Sequence, residues 1–465
     1  MQARTLKRAA GGLAAAICLI VGVFLMIGQS TLGTAAEKQV AQSAEGGGER
    51  FVNVQQVTSP GGIEAWLVED KTNPIIAMEF AFNHGAAKDP EGKTGLAFFL
   101  SGMLDEGAGD LDATAFQEAL KAQSIGLSYD ADRDSFFGSF RTLKKYSDDA
   151  FELLRLSLNE PRFDDAAFEK VRSQINVILA REQQDPSAIA RNAIFSTVFD
   201  GHPYGLPVRG TPETVAGLTP DDLRTHHKAL MVQDGLKVSV VGDITAEELA
   251  PLLDRVFGGL PETGPLERVP DQPAPAQGSE TVIPRDNPQS VVLFLGPGLL
   301  RDDEDFIPAY VLNYILGGGG FSSRLMDEVR EKRGLAYSVV SYLYPLRRSG
   351  MFLGNVATRN DAVRESMTLI QTELDRIKAE GVTDAELDDA KAYLTGSYPL
   401  RFDTGAKIAG QMIGLQINGF EPDYFDDRNA LIRAVTGDDL KRVAARFPSG
   451  DQLTVVIVGD PDEAS

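Results

Sequence analysis

Reactive sulfur is nearly absent. The 465 residues include one cysteine, Cys18, and it sits inside an apolar run near the start of the chain. One thiol cannot build a disulfide framework, and a chain that lost the run would have none, so cysteine and redox catalysis are excluded. Positive charge is also short: 45 Lys and Arg face 67 Asp and Glu, for a formal net charge of −22. With no basic patch standing out, a nucleic-acid partner is excluded, because phosphate binding needs one. The acidity either favours cationic peptides or only keeps an exported protein in solution. Histidine is scarce, with His84, His202, His226 and His227 the full set. His226 and His227 are adjacent on an expected helix and point in different directions, so they are not a metal pair. His202 opens His-Pro-Tyr-Gly and reads either as a turn with a locally bonded ring or as a catalytic group. No Ser-His-Asp or metal-ligand constellation is visible.

The chain does have length and apolar content. With 43% hydrophobic residues it can fill two or three full-sized cores. Arg4, Lys7 and Arg8 precede an uncharged apolar run, residues 11–27, which is the grammar of an export signal. The run is near the lower limit of about 17 residues for a membrane span, so it reads either as a cleaved signal or as an uncleaved anchor. Thr34, Ala35 and Ala36 offer an imperfect cleavage site. Charge before the run puts the body of the chain outside the cytoplasm. Residues 1–36 are therefore signal or anchor, and the polar residues 37–50 are expected to be disordered.

From residue 51 onward the sequence repeats itself. Thr219-Pro-Asp-Asp-Leu223 leads to Leu236-Lys-Val-Ser-Val-Val-Gly-Asp243, and Thr436-Gly-Asp-Asp-Leu440 leads at the same separation to Leu453-Thr-Val-Val-Ile-Val-Gly-Asp460. Each copy reads as a capped helix followed by a buried strand and a Gly-Asp turn. Asn73-Pro74 and Asn287-Pro288 likewise each open a strand-like run. Two homologous domains follow, 51–262 and 281–462, joined by a Pro-, Gly- and Glu-rich linker at 263–280. Strand groups alternate with long helical stretches, so the expected class is α+β: two α/β sandwich domains, each a largely antiparallel sheet with helices on one face.

Residues 95–104 read Gly-Leu-Ala-Phe-Phe-Leu-Ser-Gly-Met-Leu. Leu96, Phe99, Leu100, Met103 and Leu104 form a core-facing stripe at helical spacing, with Thr94 as the expected N-cap. The segment resembles the G-L-A-H-F-L-E-H-M-L helix of the zinc peptidase family of pitrilysin, insulinase and mitochondrial processing peptidase. In that family two histidines bind zinc and the glutamate activates water. Here the matching positions are Phe98, Ser101 and Gly102, none of which can ligate zinc. The family's third ligand, a glutamate on a later helix, falls on Arg181 or Glu182 depending on a one-residue shift. The resemblance continues through Leu158-Asn-Glu-Pro-Arg-Phe163, His202-Pro-Tyr-Gly205 and Gly210-Thr211, and through Leu316-Gly-Gly-Gly-Gly-Phe-Ser-Ser-Arg-Leu325 and Val329-Arg-Glu-Lys-Arg-Gly-Leu-Ala-Tyr337.

By this resemblance Arg330 and Tyr337 match an arginine and tyrosine that bind substrate carbonyl oxygens beside the zinc. Spacing alone would put Arg330 in a solvated charge run with Glu328, Glu331, Lys332 and Arg333, and Tyr337 in a strand core. Gly317, Gly318, Gly319 and Gly320 lack the Gly-Lys-Ser/Thr of a phosphate cradle. They read either as allowing close backbone approach to a peptide substrate or partner, or as mere loop flexibility. The resemblance implies the non-catalytic subunit of an exported heterodimeric zinc endopeptidase, inactive alone, periplasmic, and either soluble or held at the inner membrane by its N-terminal run. It would carry no cofactor; zinc would sit on a homologous partner with an intact H-x-x-E-H. Arg330 and Tyr337 would act in trans on an unfolded peptide. The alternative is a peptide-binding or scaffolding protein derived from a peptidase, with no proteolytic role.

Overall fold

Strands that are largely buried, several of them on both faces, build two sheets in the computed structural model, which describes residues 51–274 and 278–461. The apolar run read as a signal or anchor, and the polar stretch after it that is expected to be disordered, lie outside the described residues. Among the described residues, no helix is long and apolar enough to cross a membrane.

The first sheet contains β1 (Gln55–Thr58), β2 (Glu64–Glu69), β3 (Ile75–Phe82), β4 (Gly126–Ala131), β5 (Phe136–Leu143) and β6 (Lys237–Gly242), in the order β1-β2-β6-β3-β5-β4. The second contains β7 (Ser279–Ile283), β8 (Gln289–Pro297), β9 (Ala336–Leu346), β10 (Ser349–Arg359) and β11 (Thr454–Val458), in the order β7-β11-β8-β10-β9. Without β1 the orders correspond strand for strand, and the one parallel pair falls in the same place, β2 with β6 and β7 with β11. The Thr-to-Asp repeats produce this likeness: Thr219 and Thr436 both close capping boxes, with Asp222 and Asp439, and the strands that follow are β6 and β11. The correspondence extends to a detail the sequence did not announce. Phe80 of β3 lies opposite Gly138 of β5, and Phe294 of β8 opposite Gly354 of β10. Each glycine leaves room for the ring: a Cβ there would meet Phe80 Cζ at 2.0 Å or Phe294 Cζ at 2.1 Å.

Helices α1 (Leu96–Ser101), α2 (Ala113–Ala122), α3 (Ser147–Asn159), α4 (Asp165–Glu182), α5 (Pro186–Val198), α6 (Pro212–Gly217), α7 (Pro220–Leu230) and α8 (Ala246–Phe257) belong to the first half. The second half has α9 (Phe306–Asn313), α10 (Val363–Glu380), α11 (Asp384–Gly396), α12 (Gly405–Ile417), α13 (Tyr424–Ala434) and α14 (Gly437–Ala444). Most of them cover one face of their own sheet, as expected. Leu100, Phe151, Phe168 and Leu253 meet Phe80, Met78 and Val240 in the first core; Leu312, Ile370 and Val443 meet Phe294, Val356 and Ile457 in the second.

The other face of each sheet is apolar as well, and each is covered by the opposite half. Helix α5 lays Ile194, Phe195 and Val198 on Leu293, Leu295, Val456 and Val458 of the second sheet. Helix α12 lays Ala409 and Met412 beside Trp66 and Val241 of the first, and Gln416 Nε2 donates to Val238 O at 3.0 Å and Ser239 Oγ at 2.7 Å. This explains why β11 reads Thr-Val-Val-Ile-Val without alternation, since all five residues are buried and a strand covered on both faces has no polar side. The stretch joining the halves is packed too: Val269 and Ala274 are buried in the same cluster as α5, and Ser279 and Glu280 already belong to β7. Arg347, in the β9–β10 turn, adds a polar tie, donating to Asn83 O at 2.7 Å and Ser135 Oγ at 2.8 Å.

Candidate functional site

Helix α1 carries the segment that resembles the family's metal-binding motif. Its stripe is as expected: Leu96, Phe99, Leu100, Met103 and Leu104 are all buried, with Phe99 stacked on Phe168 at 4.6 Å. Its cap differs. Thr94 donates its hydroxyl to Thr214 Oγ at 3.3 Å, and the helix N-terminus is held instead by Asp89, whose carboxylate accepts from the N–H groups of Gly95, Leu96 and Ala97 at 2.8, 3.0 and 2.9 Å. A carboxylate serves better than a hydroxyl here because it satisfies three orphan donors and meets the positive end of the helix dipole. Burial pushes this carboxyl up to about 7 against those three bonds. His226 of α7 packs against it, Nε2 to Oδ1 3.5 Å, and burial pushes the imidazole down to about 4.

The three motif positions present no donor set for a metal. Phe98 offers a half-buried ring. Ser101 Oγ donates back to Phe98 O at 2.7 Å. At Gly102, which has no side chain, a Cβ would meet Val171 Cγ1 at 3.1 Å, so a ligand side chain there would need Val171 to give way. Of the two candidates for the third position, Arg181 is exposed and Glu182 turns inward, where its carboxylate pairs with Arg209. The Arg209 guanidinium lies over the Phe98 ring, 5.1 Å from its centroid. These residues do not fit a zinc ion. Among the described residues, no three or more His, Cys, Asp or Glu side chains converge as a metal site. His202 is held in its turn: Nδ1 accepts from Tyr204 N–H at 3.1 Å and Nε2 donates to Pro270 O at 3.1 Å. His226 and His227 diverge, the latter donating Nε2–H to Leu158 O at 2.8 Å.

In the second half the chain brings Arg330 and Tyr337 together. Arg330 lies on a π-helical turn, Met326–Glu331, which follows a glycine segment that is itself tightly packed. A Cβ on Gly317 would meet Ser341 Oγ at 2.3 Å, so the close approach is made to β9 of the same chain, while Gly318 is exposed and Gly319 and Gly320 are half-buried. Arg324 pins the turn through a bidentate pair with Glu386 of α11 at 2.6 and 2.8 Å, which holds the Glu386 carboxyl down at about 2. The expected charge run resolves internally: Lys332 and Arg333 each lie 2.6 Å from Glu328. Among the described residues Arg330 has one ion-pair partner, Glu331 at 3.5 Å, and stands instead between two rings, 4.5 Å from Phe321 and 5.3 Å from Tyr337. Those rings are 60% and 79% exposed. Neither is strand core, and both face solvent with a guanidinium between them. Phe321 and Arg209 were not singled out from sequence; each lay inside or next to a quoted motif, and nothing in local spacing linked Arg209 to positions 98 and 182.

Comparison with known proteins agrees with this layout. Residues 65–212 match the insulinase family (peptidase family M16), and residues 217–394 match the peptidase M16 inactive domain. A Helicobacter pylori protein named non-peptidase homolog YmxG is 29% identical over 337 residues, 72% of this chain and 78% of that one. A Bacillus subtilis protein named uncharacterized zinc protease YmxG is 25% identical over 360 residues, 77% and 86% of the two chains. The crystal structure of a peptidase M16 inactive domain from Pseudomonas fluorescens superposes with a TM-score of 0.83 at 26% identity, over 89% of this chain and 99% of that one. The two family matches together span most of the chain, and with a motif helix that has kept its packing and lost every ligand, the protein belongs to peptidase family M16 as an inactive homologue.

Proposed function

We propose that the chain is the non-catalytic subunit of an exported, heterodimeric zinc endopeptidase, forming half of the peptide chamber and presenting Arg330 and Tyr337 to a substrate whose scissile bond is cut on the partner's zinc. The observation that carries this reading is the Arg330 guanidinium held between the exposed rings of Phe321 and Tyr337. A guanidinium and a phenol placed this way are donors suited to peptide carbonyl oxygens and to developing oxyanion charge. Two large apolar rings left in water cost the free chain burial energy, which a peptide or a second subunit would recover.

The test is to co-express the chain with a homologue bearing an intact H-x-x-E-H, isolate the one-to-one complex, and follow peptide turnover. Tyr337→Phe and Arg330→Ala should each lower turnover by roughly 10²-fold, the scale for losing one positioned donor, with assembly and the partner's zinc content unchanged. Lys332→Ala, whose ammonium already pairs with Asp327 and Glu328, is the control and should retain activity. Full activity in all three variants would refute the role in trans. A stable monomer that ignores every such partner would leave the peptide-binding scaffold.

A further inference from the structure

The three residues at the vanished metal site are not idle. Glu182, at the end of α4, directs its carboxylate toward α1, where the motif would have held a cation; Arg209 meets it, with its guanidinium over Phe98. The segment carrying Arg209 is locked against the start of α1. A Cβ on Gly95 would lie 2.7 Å from Arg209 O, a Cβ on Gly210 2.3 Å from Thr94 O, and Thr214 Oγ donates to Thr94 O at 2.9 Å. Both glycines have positive φ, +93 and +74, so the contact is built for these residues and tolerates no side chain. Arg209 is thereby fixed in position, not swinging at the end of a loop.

The guanidinium carries five N–H donors, and among the described residues Glu182 is its one hydrogen-bond acceptor. Its side chain is 29% exposed, so the remaining donors are within reach of a ligand. What lies alongside is a sheet edge. Helix α1 packs against β4, the terminal strand of the first sheet, whose one strand neighbour among the described residues is β5. Asp130 of β4 is near enough for the Arg209 charge to offset part of the upward shift that burial imposes on its carboxyl. A free strand edge takes an extended peptide by main-chain hydrogen bonds, and such a peptide turns every second carbonyl away from the edge, open to another donor.

We infer that Arg209 is a built-in cation that has replaced the metal: bound to Glu182 and resting on Phe98, it donates to a backbone carbonyl of an unfolded peptide laid along β4. The inference rests on the peptide-handling part of the proposed function and needs neither a partner nor Arg330. The motif helix then keeps its place in the family's architecture because it still supports a peptide site, with a fixed guanidinium where an ion once polarised the carbonyl.

The experiment uses the full chain alone and a fluorescein-labelled, proline-free unfolded peptide, with affinity read by fluorescence anisotropy. Arg209→Ala should weaken binding by roughly tenfold or more, the scale for losing a charge-assisted hydrogen bond, and Arg209→Lys should recover part of it. Because Arg209→Ala strands a half-buried carboxylate, Arg209→Ala with Glu182→Gln is measured as well; it should melt like the wild type and still bind weakly. Arg181→Ala, on the exposed side of α4, should bind like the wild type. Equal affinity of wild type and both Arg209→Ala variants overturns the inference, and so does a wild-type chain with no measurable affinity. If Arg330→Ala lowers complex turnover while Arg209→Ala leaves peptide affinity intact, this inference fails and the proposed function stands. If Arg209→Ala abolishes binding by a chain that never pairs with a partner, the inference stands and the heterodimer reading fails.

Discussion

His227 shows how much a single buried ring can contribute to acid sensitivity. It is 8% exposed, donates one N–H to Leu158 O, and burial pushes it from 6.5 down to about 4, with Lys228 adding in the same direction and the Leu158 bond opposing. A folded-state value below the unfolded one means the fold prefers the neutral ring. Its contribution is therefore complete above the unfolded value near 6.5 and is lost as pH falls toward 4. Over that window the loss is on the order of 3 kcal/mol. Urea unfolding at pH 7 and pH 4.5 should show a smaller drop for His227→Gln than for the wild type, since the amide can donate to Leu158 O without titrating. An equal drop would mean the imidazole stays uncharged, or gains charge freely, in both states. Gly102 makes a second point at this scale. Restoring His there would bring a Cβ to 3.1 Å from Val171 Cγ1, so Phe98→His, Ser101→Glu and Gly102→His together should bind zinc weakly unless Val171 is also reduced; titration of the variant with and without Val171→Ala checks this.

At the level of the element, the paired Phe-over-Gly contacts between β3 and β5 and between β8 and β10 are among the sheets' tightest positions. Gly138→Ala and Gly354→Ala should each destabilise the fold by about 1–3 kcal/mol, because the ring behind each glycine is fully buried and has nowhere to retreat. Chemical denaturation of the two variants measures this, and a loss below a few tenths would show that the ring can move. These pairs also mark the limit of what the sequence revealed. The stripe of α1, the capping boxes at Thr219 and Thr436 and the strands after them were legible because helix period, cap chemistry and turn residues act within a few positions. The partners of Phe80 and Phe294 were not, because register across a sheet is a long-range choice. Arg330 and Tyr337 were legible as a pair through their shared motif, whereas Arg209, 27 residues from Glu182, becomes a neighbour of Phe98 only once the Gly210 turn packs on Thr94. Asp89 took the place of Thr94 as the cap of α1 because the intervening loop folds back, bringing three backbone donors onto a carboxylate six to eight residues away in sequence.

Across the whole molecule the halves are interlocked by exchanged helices. Helix α12 covers Trp66 and Val241, and α5 covers Leu293, Leu295, Val456 and Val458. Each large apolar side chain so covered contributes about 1.5–3 kcal/mol, and domains of this kind have only about 5–15 kcal/mol to lose. Residues 51–262 expressed alone should consequently aggregate or bind a hydrophobic dye such as ANS, and so should residues 263–461. Co-expression of the two pieces should yield a soluble complex with the spectrum of the intact chain. A soluble, dye-free first half would show that α12 is dispensable.

The same exchange sets an order of events during synthesis. The first sheet is complete once β6 has emerged, yet the helix that seals its second face lies at residues 405–417. At elongation rates of about 5–20 residues per second, a nascent chain spends on the order of ten seconds or more with Trp66 and Val241 unroofed. Holdase chaperones should engage the ribosome-bound chain during that interval, and ribosome profiling of chaperone-associated nascent chains should show occupancy rising after β6 and falling once α12 clears the exit tunnel.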